Sequence, residues 1–355
     1  MNYDQRMQRI CGSLQQNGYN VILVGVKRNK SSKLSTQIFA QKRIPILFEK
    51  GLLFYAEYNI ILFFYLLFAQ TNAICAIDLD TIVPCYFASF IKRTKRVYDA
   101  HELFTELNEV VNNKPVFWFW TKIERLIVPR FQDGYTVNQF IKDEFKRRYH
   151  VNYQIIRNTP TVQTPNLQTP NSKFQIPNLI YQGAVNYGRG FEQLIPAMKN
   201  VNAELHIYGI GNFYSQVEEL IKINQLENKI KLFGATLPSV LKNITPTASM
   251  GITIFEAKGL NQYYSLANRF FDYIMAGLPQ ICVAYPEYKI LNDEFDIALL
   301  VENIEVETLS SAINKLLDDE ILYQRLKNNC AIAQKQLNWQ NEEKKLLTFW
   351  KNIFT

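Results

Sequence analysis

Between Ala267 and Ala276 the apolar positions Phe270, Phe271, Ile274 and Met275 recur at helical spacing, Gly277 and Pro279 stop the pattern, and Gln280 to Ala284 reads as a buried strand. The same switch between a helical period and a short apolar run repeats along the chain. Residues 4–18 predict a helix ending at Gly18 and residues 20–28 a strand, so no strand precedes the first helix. A short strand is expected at Arg43 to Phe48. Ala73 to Asp78 and Lys95 to Ala100 read as strands around a helix near Thr81 to Ile91, followed by an aromatic helix over 116–131, a strand over 133–138 and a helix over 138–149.

In the second half, strands are expected over 178–185, 203–209, 229–234 and 248–256. Helices alternate with them from Gly190 to Lys199, up to Ile223, near Ser239 and in the stretch described first; residues 338–354 form a last amphipathic helix. Alternation of this kind implies parallel sheets with helices on both faces and ligands beyond the carboxyl ends of the strands. Residues 158–178, with Pro160, Pro165, Pro170 and Pro177 among Asn, Thr and Gln, read as a linker. The expected architecture is α/β, with two doubly wound Rossmann-like domains facing across a cleft. These are residues 1–157 and 179–337, joined by the linker, with a closing helix over 338–355.

One segment breaks the alternation. Leu52 to Ala69 carries no charge after Glu57, yet its unbroken apolar run, Ile60 to Ala69, covers ten residues, against the roughly 20 that a membrane-spanning helix needs. A buried helix, or one lying in an interface, is expected there.

Charge changes this picture by halves. Residues 1–157 hold 22 Lys and Arg against 13 Asp and Glu, while residues 158–355 hold 17 against 19. The basic clusters Lys27-Arg28 with Lys30 and Lys33, Lys92-Arg93 with Lys95-Arg96, and Lys146-Arg147-Arg148 are read as solvated faces, as a surface for an anionic membrane, or as nucleic-acid contacts. No zinc finger or aromatic RNA-reading motif supports the last, and no nucleic-acid partner is expected. Five cysteines at irregular spacing without a CxxC exclude a disulfide framework and a zinc site by pattern, and three histidines leave little for a metal centre. Met1 to Gly18 has no apolar core, so no signal peptide is expected and the chain is placed in the cytoplasm, peripheral on the inner face of the membrane.

The candidate chemistry lies at strand ends. Ser265 is expected to cap the helix that carries Asn268 and Asp272, opening its N–H groups to an anion. Asp272, one turn after Asn268, would accept from the two hydroxyls of a ribose. Gly183 to Gly190 is a glycine-rich turn that lets backbone approach a phosphate, with Arg189 offering planar donors. His101 sits just after a strand, with Asp99 near enough to orient it. Asp78-Leu79-Asp80 is a DxD triplet that holds a divalent metal in some transferases; Asp80 as a helix cap accounts for it equally well.

YQGAVNYGRGFEQLIPAM (181–198), LHIYGIG (205–211) and SLANRFFDYIMAGLP (265–279) resemble the donor-binding half of the group 1 retaining glycosyltransferases of GT-B architecture. YDAHELFTE (98–106), AIDLDT (76–81) and DQRMQRI (4–10) resemble the same family, so the likeness runs over nearly the whole chain. The resemblance implies transfer of a sugar with retention from a nucleotide-sugar donor to a polysaccharide or lipid-linked acceptor, no metal or other cofactor, and a last helix crossing back to the first domain. By residue it implies His101 and Arg189 as the catalytic positions, with Gly183, Gly190, Gly209, Glu256, Ser265, Asn268 and Asp272 around the donor. Three positions depart from the family. Tyr264 stands eight residues from both Glu256 and Asp272, where one of a pair of glutamates is usual; Ala184 follows Gly183 where many members have a basic residue; and the family's first strand does not precede the first helix. The rival readings are a non-catalytic nucleotide-binding or scaffold protein of the same fold, and a metal-dependent transferase using Asp78 and Asp80.

Overall fold

The computed structural model describes residues 4–29, 31, 33–162 and 177–355. Lys30 of the first basic cluster and most of the expected linker, residues 163–176, lie outside them. In chain order the elements are α1 (Gln5–Gln16), β1 (Ile22–Lys27), β2 (Ala40–Pro45), α2 (Gly51–Phe68), β3 (Ala73–Ile77), α3 (Ile82–Lys92), β4 (Lys95–Asp99), α4 (Asn108–Val111), α5 (Lys114–Ile127), β5 (Gly134–Thr136), α6 (Gln139–Tyr149) and β6 (Gln154–Ile155). There follow β7 (Asn178–Gln182), α7 (Phe191–Ala197), β8 (Glu204–Tyr208), α8 (Tyr214–Ile223), β9 (Ile230–Gly234), α9 (Pro238–Ile244), β10 (Met250–Thr253), α10 (Leu260–Tyr263), α11 (Asn268–Met275), β11 (Gln280–Val283), α12 (Pro286–Phe295), β12 (Ala298–Val301), α13 (Val306–Asp318), α14 (Glu320–Ala333) and α15 (Trp339–Phe354). The chain divides into unit 1, residues 1–158 with 339–355, and unit 2, residues 159–338.

Unit 2 is one six-stranded sheet, ordered β12-β11-β10-β7-β8-β9. Every pairing in it is parallel, as the alternating pattern implies. Its core runs from Leu179 and Tyr181 on β7 through Phe270 and Ile274 on α11 to Leu309 and Ile313 on α13, all at most 1% exposed. The sequence pattern left residues 285–337 without assigned elements, and the structure fills them with α12, β12, α13 and α14. β7 stops at Gln182, short of the expected Val185, because Gly183 turns the chain with φ 132°, a conformation that favours glycine.

Unit 1 is built differently. Its strands form a two-stranded sheet, β1-β2, and a separate four-stranded sheet, β3-β4-β5-β6, again all parallel. The two share both of their cores. Val24, Val26, Ile74 and Ala76 face the layer of α2, α3, α5 and α6, while Leu23, Ala73, Cys75 and Ile77 face α1 and α15. Among the described residues no strand joins β1 to β3. α1 starts where Asp4 accepts from the Met7 N–H at 3.0 Å, the N-cap geometry that satisfies a free helix donor. Its inner face, Met7, Ile10 and Leu14, packs with Leu346, Phe349 and Trp350 of α15, and the Trp339 indole N–H donates to Ser13 Oγ at 2.9 Å.

β2 begins at Ala40 and ends at Pro45, earlier than the pattern placed it, because its register with β1 runs Ile22 to Ala40 through Lys27 to Pro45. α2 is a continuous helix of 18 residues and takes in Tyr58 and Asn59, which bracketed the apolar run in the sequence. All five cysteines are free thiols.

Candidate active site

In unit 2 the strand order reverses between β7 and β10, so the crevice for a ligand lies beyond the carboxyl ends of these two strands. The Gly183 to Gly190 turn leaves β7 at that place. Gly183, Gly188 and Gly190 have φ of 132°, 74° and 77°. The end of β8 comes against the turn backbone to backbone: Gly183 N–H donates to Tyr208 O at 2.9 Å, and a Cβ on Gly209 would lie 1.8 Å from the Gly183 oxygen. Gly209 is thus required by close approach. On the other side a Cβ on Gly190 would meet Ile254 at 3.2 Å, and Glu256 N–H donates to Gly188 O at 2.9 Å. Arg189 reaches the same strand end, its guanidinium carbon 6.0 Å from the Phe255 ring centre. The Glu256 carboxylate itself pairs with Lys258.

Behind this turn sits a residue that the sequence reading passed over. Arg269, on the first turn of α11, is 6% exposed. It donates to Tyr181 Oη at 3.1 Å and Ile254 O at 3.2 Å, and lies 4.4 Å from the Tyr181 ring centre. Its Nε has no partner, and among the described residues no carboxylate pairs with it. A Cβ on Gly183 would come within 3.2 Å of Nη1, so the guanidinium borders the open side of the turn. A buried cation without a counter-ion is expensive, and the Tyr181 face offsets part of this. The signal in the sequence was a basic residue at a position whose helical spacing faces inward with Tyr273.

One expectation for α11 changes. Ser265 does not cap it: its hydroxyl donates to Gln262 O at 3.0 Å, the helix begins at Asn268, and Ala267 is the cap residue, without a side-chain hydrogen bond. The short helix α10 draws Ser265 into the preceding turn. Asp272 is half-buried, and its Oδ2 accepts from Gln182 Nε2 at 2.9 Å; Gln182 Oε1 in turn accepts from Thr245 Oγ1 at 2.7 Å. Asp272 thereby stands beside the last residue of β7.

In unit 1 the strand ends gather Asp78, Asp99 and His101. Asp99 is fully buried and gripped by Arg6 of α1, whose Nη2 donates to Oδ1 at 2.8 Å and Nε to Oδ2 at 3.1 Å. Burial disfavours the carboxylate, but the charges of Arg6 and His101 together outweigh it and hold the carboxyl below its ordinary value. His101 does not take Asp99 as its hydrogen-bond partner, because Nδ1 lies 3.8 Å from Oδ1, an ion-pair distance only. Its partner is Asp78, with Nε2 3.1 Å from Oδ2.

Asp78 holds φ 57° and ψ 172°, backbone space that only glycine enters freely. Such strain persists where the surroundings enforce it. Burial disfavours the imidazolium, but the charges of Asp78 and Asp99 outweigh it and raise His101 above 6.5. Burial, with Glu102 and Asp80, raises Asp78 against the pull of His101. Asp78 Oδ1 and His101 Nδ1 are left without hydrogen-bond partners.

Of the DxD triplet, Asp78 is engaged by His101, and burial pushes Asp80 up to about 6. Asp80 is not the helix cap, since Thr81 holds that position without a side-chain bond. Among the described residues no group of three His, Cys, Asp or Glu is placed to hold a metal.

Residues 168–332 match the family of glycosyl transferases group 1. No curated protein matches the sequence significantly. Among solved structures, sucrose-phosphate synthase from Thermosynechococcus elongatus is 15% identical with a TM-score of 0.77, over 98% of this chain and 92% of that one. A glycosyltransferase from Rickettsia africae ESF-5 is 14% identical with a TM-score of 0.73, over 100% and 96%. Anabaena HepE in complex with UDP is 13% identical with a TM-score of 0.73, over 98% and 96%. The chain thus has the GT-B fold of glycosyltransferases, and across residues 168–332 it matches the glycosyl transferases group 1 family.

Proposed function

We propose that this protein moves a sugar, with retention of anomeric configuration, from a nucleotide-sugar donor to a polysaccharide or lipid-linked acceptor in cell-surface glycan synthesis, in the cytoplasm and without a metal. The match of residues 168–332 and the GT-B fold support glycosyl transfer. The observation that carries the donor side is Arg269, a buried guanidinium without a carboxylate behind a glycine turn at the strand-order reversal. A departing nucleoside diphosphate gains negative charge as the sugar leaves, and fixed cations aimed at that charge lower the barrier. Arg189 and Arg269 supply two of them. Asp272 beside Gln182 is the acceptor for ribose hydroxyls. HepE has been solved with UDP and with UDP-glucose, which makes uridine the first base to try.

On unit 1, the unpartnered Asp78 Oδ1 is an acceptor for a sugar hydroxyl, and the His101 imidazolium keeps that carboxylate in place. The test is calorimetry with UDP, GDP and ADP, followed by turnover with the corresponding sugars and NMR of the product anomer. One nucleoside diphosphate should bind, and its α-linked sugar should give an α-linked product. Binding without turnover would support the non-catalytic reading instead, and a β-linked product would overturn retention.

A further inference from the structure

Within unit 1, α2, α3, α5 and α6 form one layer over the same face of the strands, all four contributing to the core that holds Phe54, Cys85, Trp120 and Phe145. α6 behaves as a solvent-facing helix should, with Asp143, Lys146 and Arg147 exposed. Its neighbours do not. α2 buries one stripe, Phe54, Tyr58, Leu62 and Leu66, and its other side leaves Leu53, Ile60, Phe64 and Phe68 exposed by 58%, 58%, 52% and 80%. The only charge in α2, Glu57, is engaged in accepting from the Leu47 and Phe48 N–H groups, each at 2.9 Å.

α3 adds exposed Phe87, Phe90 and Ile91, and α5 adds Trp118, Phe119 and Leu126. The three helices touch. Lys92 at the end of α3 donates to Leu66 O of α2 at 3.0 Å, and Tyr55 of α2 meets Trp120 of α5 edge-on at 5.4 Å. Monomeric soluble proteins rarely leave an apolar face of this extent open to water.

The exposed charges on these three helices and just after α3 are basic. Arg93 and Lys95 follow α3, and Lys122 and Arg125 lie on α5, all exposed, while Glu124 of α5 is buried against Thr105 and Tyr149. Lys122 Nζ sits 3.7 Å from the Trp118 ring centre. Aromatic and aliphatic side chains on one face, with Trp and Lys or Arg at the fringe, match the chemistry of a bilayer interface with anionic headgroups. We infer that the outer face of α2, α3 and α5 inserts into the surface of an anionic membrane.

α2 is the one helix among the described residues long and apolar enough to span, but it lies along the surface. Its buried stripe runs its whole length, and Asn59 Nδ2 donates to Asp80 O at 3.0 Å, contacts that a spanning pose would break. A second copy is a poor cover, since two such faces would bring their basic fringes together. Insertion differs from adsorption through the basic clusters alone, because apolar burial survives salt whereas surface charge attraction is screened.

The test is flotation of the full chain with vesicles of phosphatidylcholine, alone or mixed with phosphatidylglycerol, at low and high salt. The protein should float with the anionic vesicles and keep part of that binding at high salt. Phe64→Ser and Phe68→Ser should each weaken partition about ten-fold, with unchanged thermal unfolding because both side chains are exposed. Trp118→Ser on α5 is the independent variant should either fail to fold. Absence of flotation at low salt overturns the inference. So does binding that salt abolishes and the three substitutions leave unaltered, or a wild-type dimer that Phe68→Ser converts to a monomer without any vesicle binding. Nucleotide affinity is measured on the same protein, so loss of the membrane inference leaves the donor site standing.

Discussion

Arg6 in unit 1 and Arg269 in unit 2 are both buried, at 4% and 6% exposure, and each stands beside the strand ends where its unit collects polar groups. Arg6 meets both oxygens of Asp99 and the Ile156 carbonyl. Arg269 meets a phenol, a carbonyl and an aromatic face. A buried ion pair is complete without any ligand, and its role is to fix geometry: Arg6 holds Asp99, and Asp99 sits behind the His101 ring. A buried cation lacking its anion is, on the function proposed above, completed by the diphosphate of the donor. On that reading the difference separates a residue that shapes a site from one that binds at it.

The largest expected effect comes from breaking the complete pair. Arg6→Ala leaves the Asp99 carboxylate buried without its hydrogen-bonding cation, which destabilises by about 3–5 kcal/mol, read by denaturant unfolding. Asp99 is held below its ordinary 3.8, so its contribution is present above that pH and fades as pH falls through the lowered value. The gap between wild type and Arg6→Ala should therefore shrink below about pH 4. A gap that stays constant into acid would mean that Arg6 acts through packing alone. Arg6→Ala with Asp99→Asn should recover much of the loss.

The incomplete site should respond in the opposite sense. Arg269→Met removes a buried charge and keeps most of the volume, so stability should hold or rise, while affinity for the nucleoside diphosphate falls at least ten-fold. Arg189→Ala should depress turnover more than binding, by about 10²–10³ in kcat, the range for losing one transition-state donor. Calorimetry beside steady-state kinetics separates the two. If Arg269→Met unfolds more easily and binds nucleotide as before, Arg269 is structural and the donor site lies elsewhere.

The contrast between the arginines also marks how far the sequence was legible. Parallel sheets, the helix over 268–275 and the glycine turn followed from periodicity and punctuation, which are local. The close approach of Gly209 to the Gly183 oxygen was not legible, because it joins two strand ends that lie apart in sequence. Asp78 was legible as an acid at a strand end, but its pairing with His101 was not, because partner choice depends on a backbone angle, φ 57°, set by the fold. Arg269 was hidden inside an apolar helix pattern, where a lone basic residue reads as a surface position. Ser265 was misplaced as a cap because α10, four residues long, carries no period of its own. For α2 the pattern left two readings, buried or lying in an interface, since exposure is a property of the layer and not of the segment.

A smaller effect sharpens the unit 1 side. With Asp78 intact, His101 stays protonated above 6.5, so the stability this charge contributes is present below 6.5 and is lost as pH rises through the raised value. Asp78→Asn removes the first carboxylate and should bring His101 back toward its ordinary titration, followed by NMR of the imidazole protons. His101→Ala should leave nucleotide affinity nearly unchanged while removing transfer. Transfer at the wild-type rate by His101→Ala would show that this corner is structural, like the Arg6 pair beside it.

The smallest effect expected at the donor site is that of Asp272. It lies on the same helix as Arg269, three residues on, but the task proposed for it concerns a part of the ligand whose charge does not change during transfer. Hydrogen bonds to ribose hydroxyls are equally good in the bound donor and in the transition state, so their loss should raise the donor concentration required and leave kcat nearly constant. One or two such bonds to a carboxylate amount to about 1.5–3 kcal/mol, or roughly ten- to a hundred-fold in KM. The Gln182 to Thr245 bond persists in Asp272→Ala, so the β7 end should hold its shape and thermal unfolding should move little. The opposing result is a fall in kcat with KM unchanged, which would make Asp272 a group acting on the reacting sugar and would leave the ribose without its acceptor.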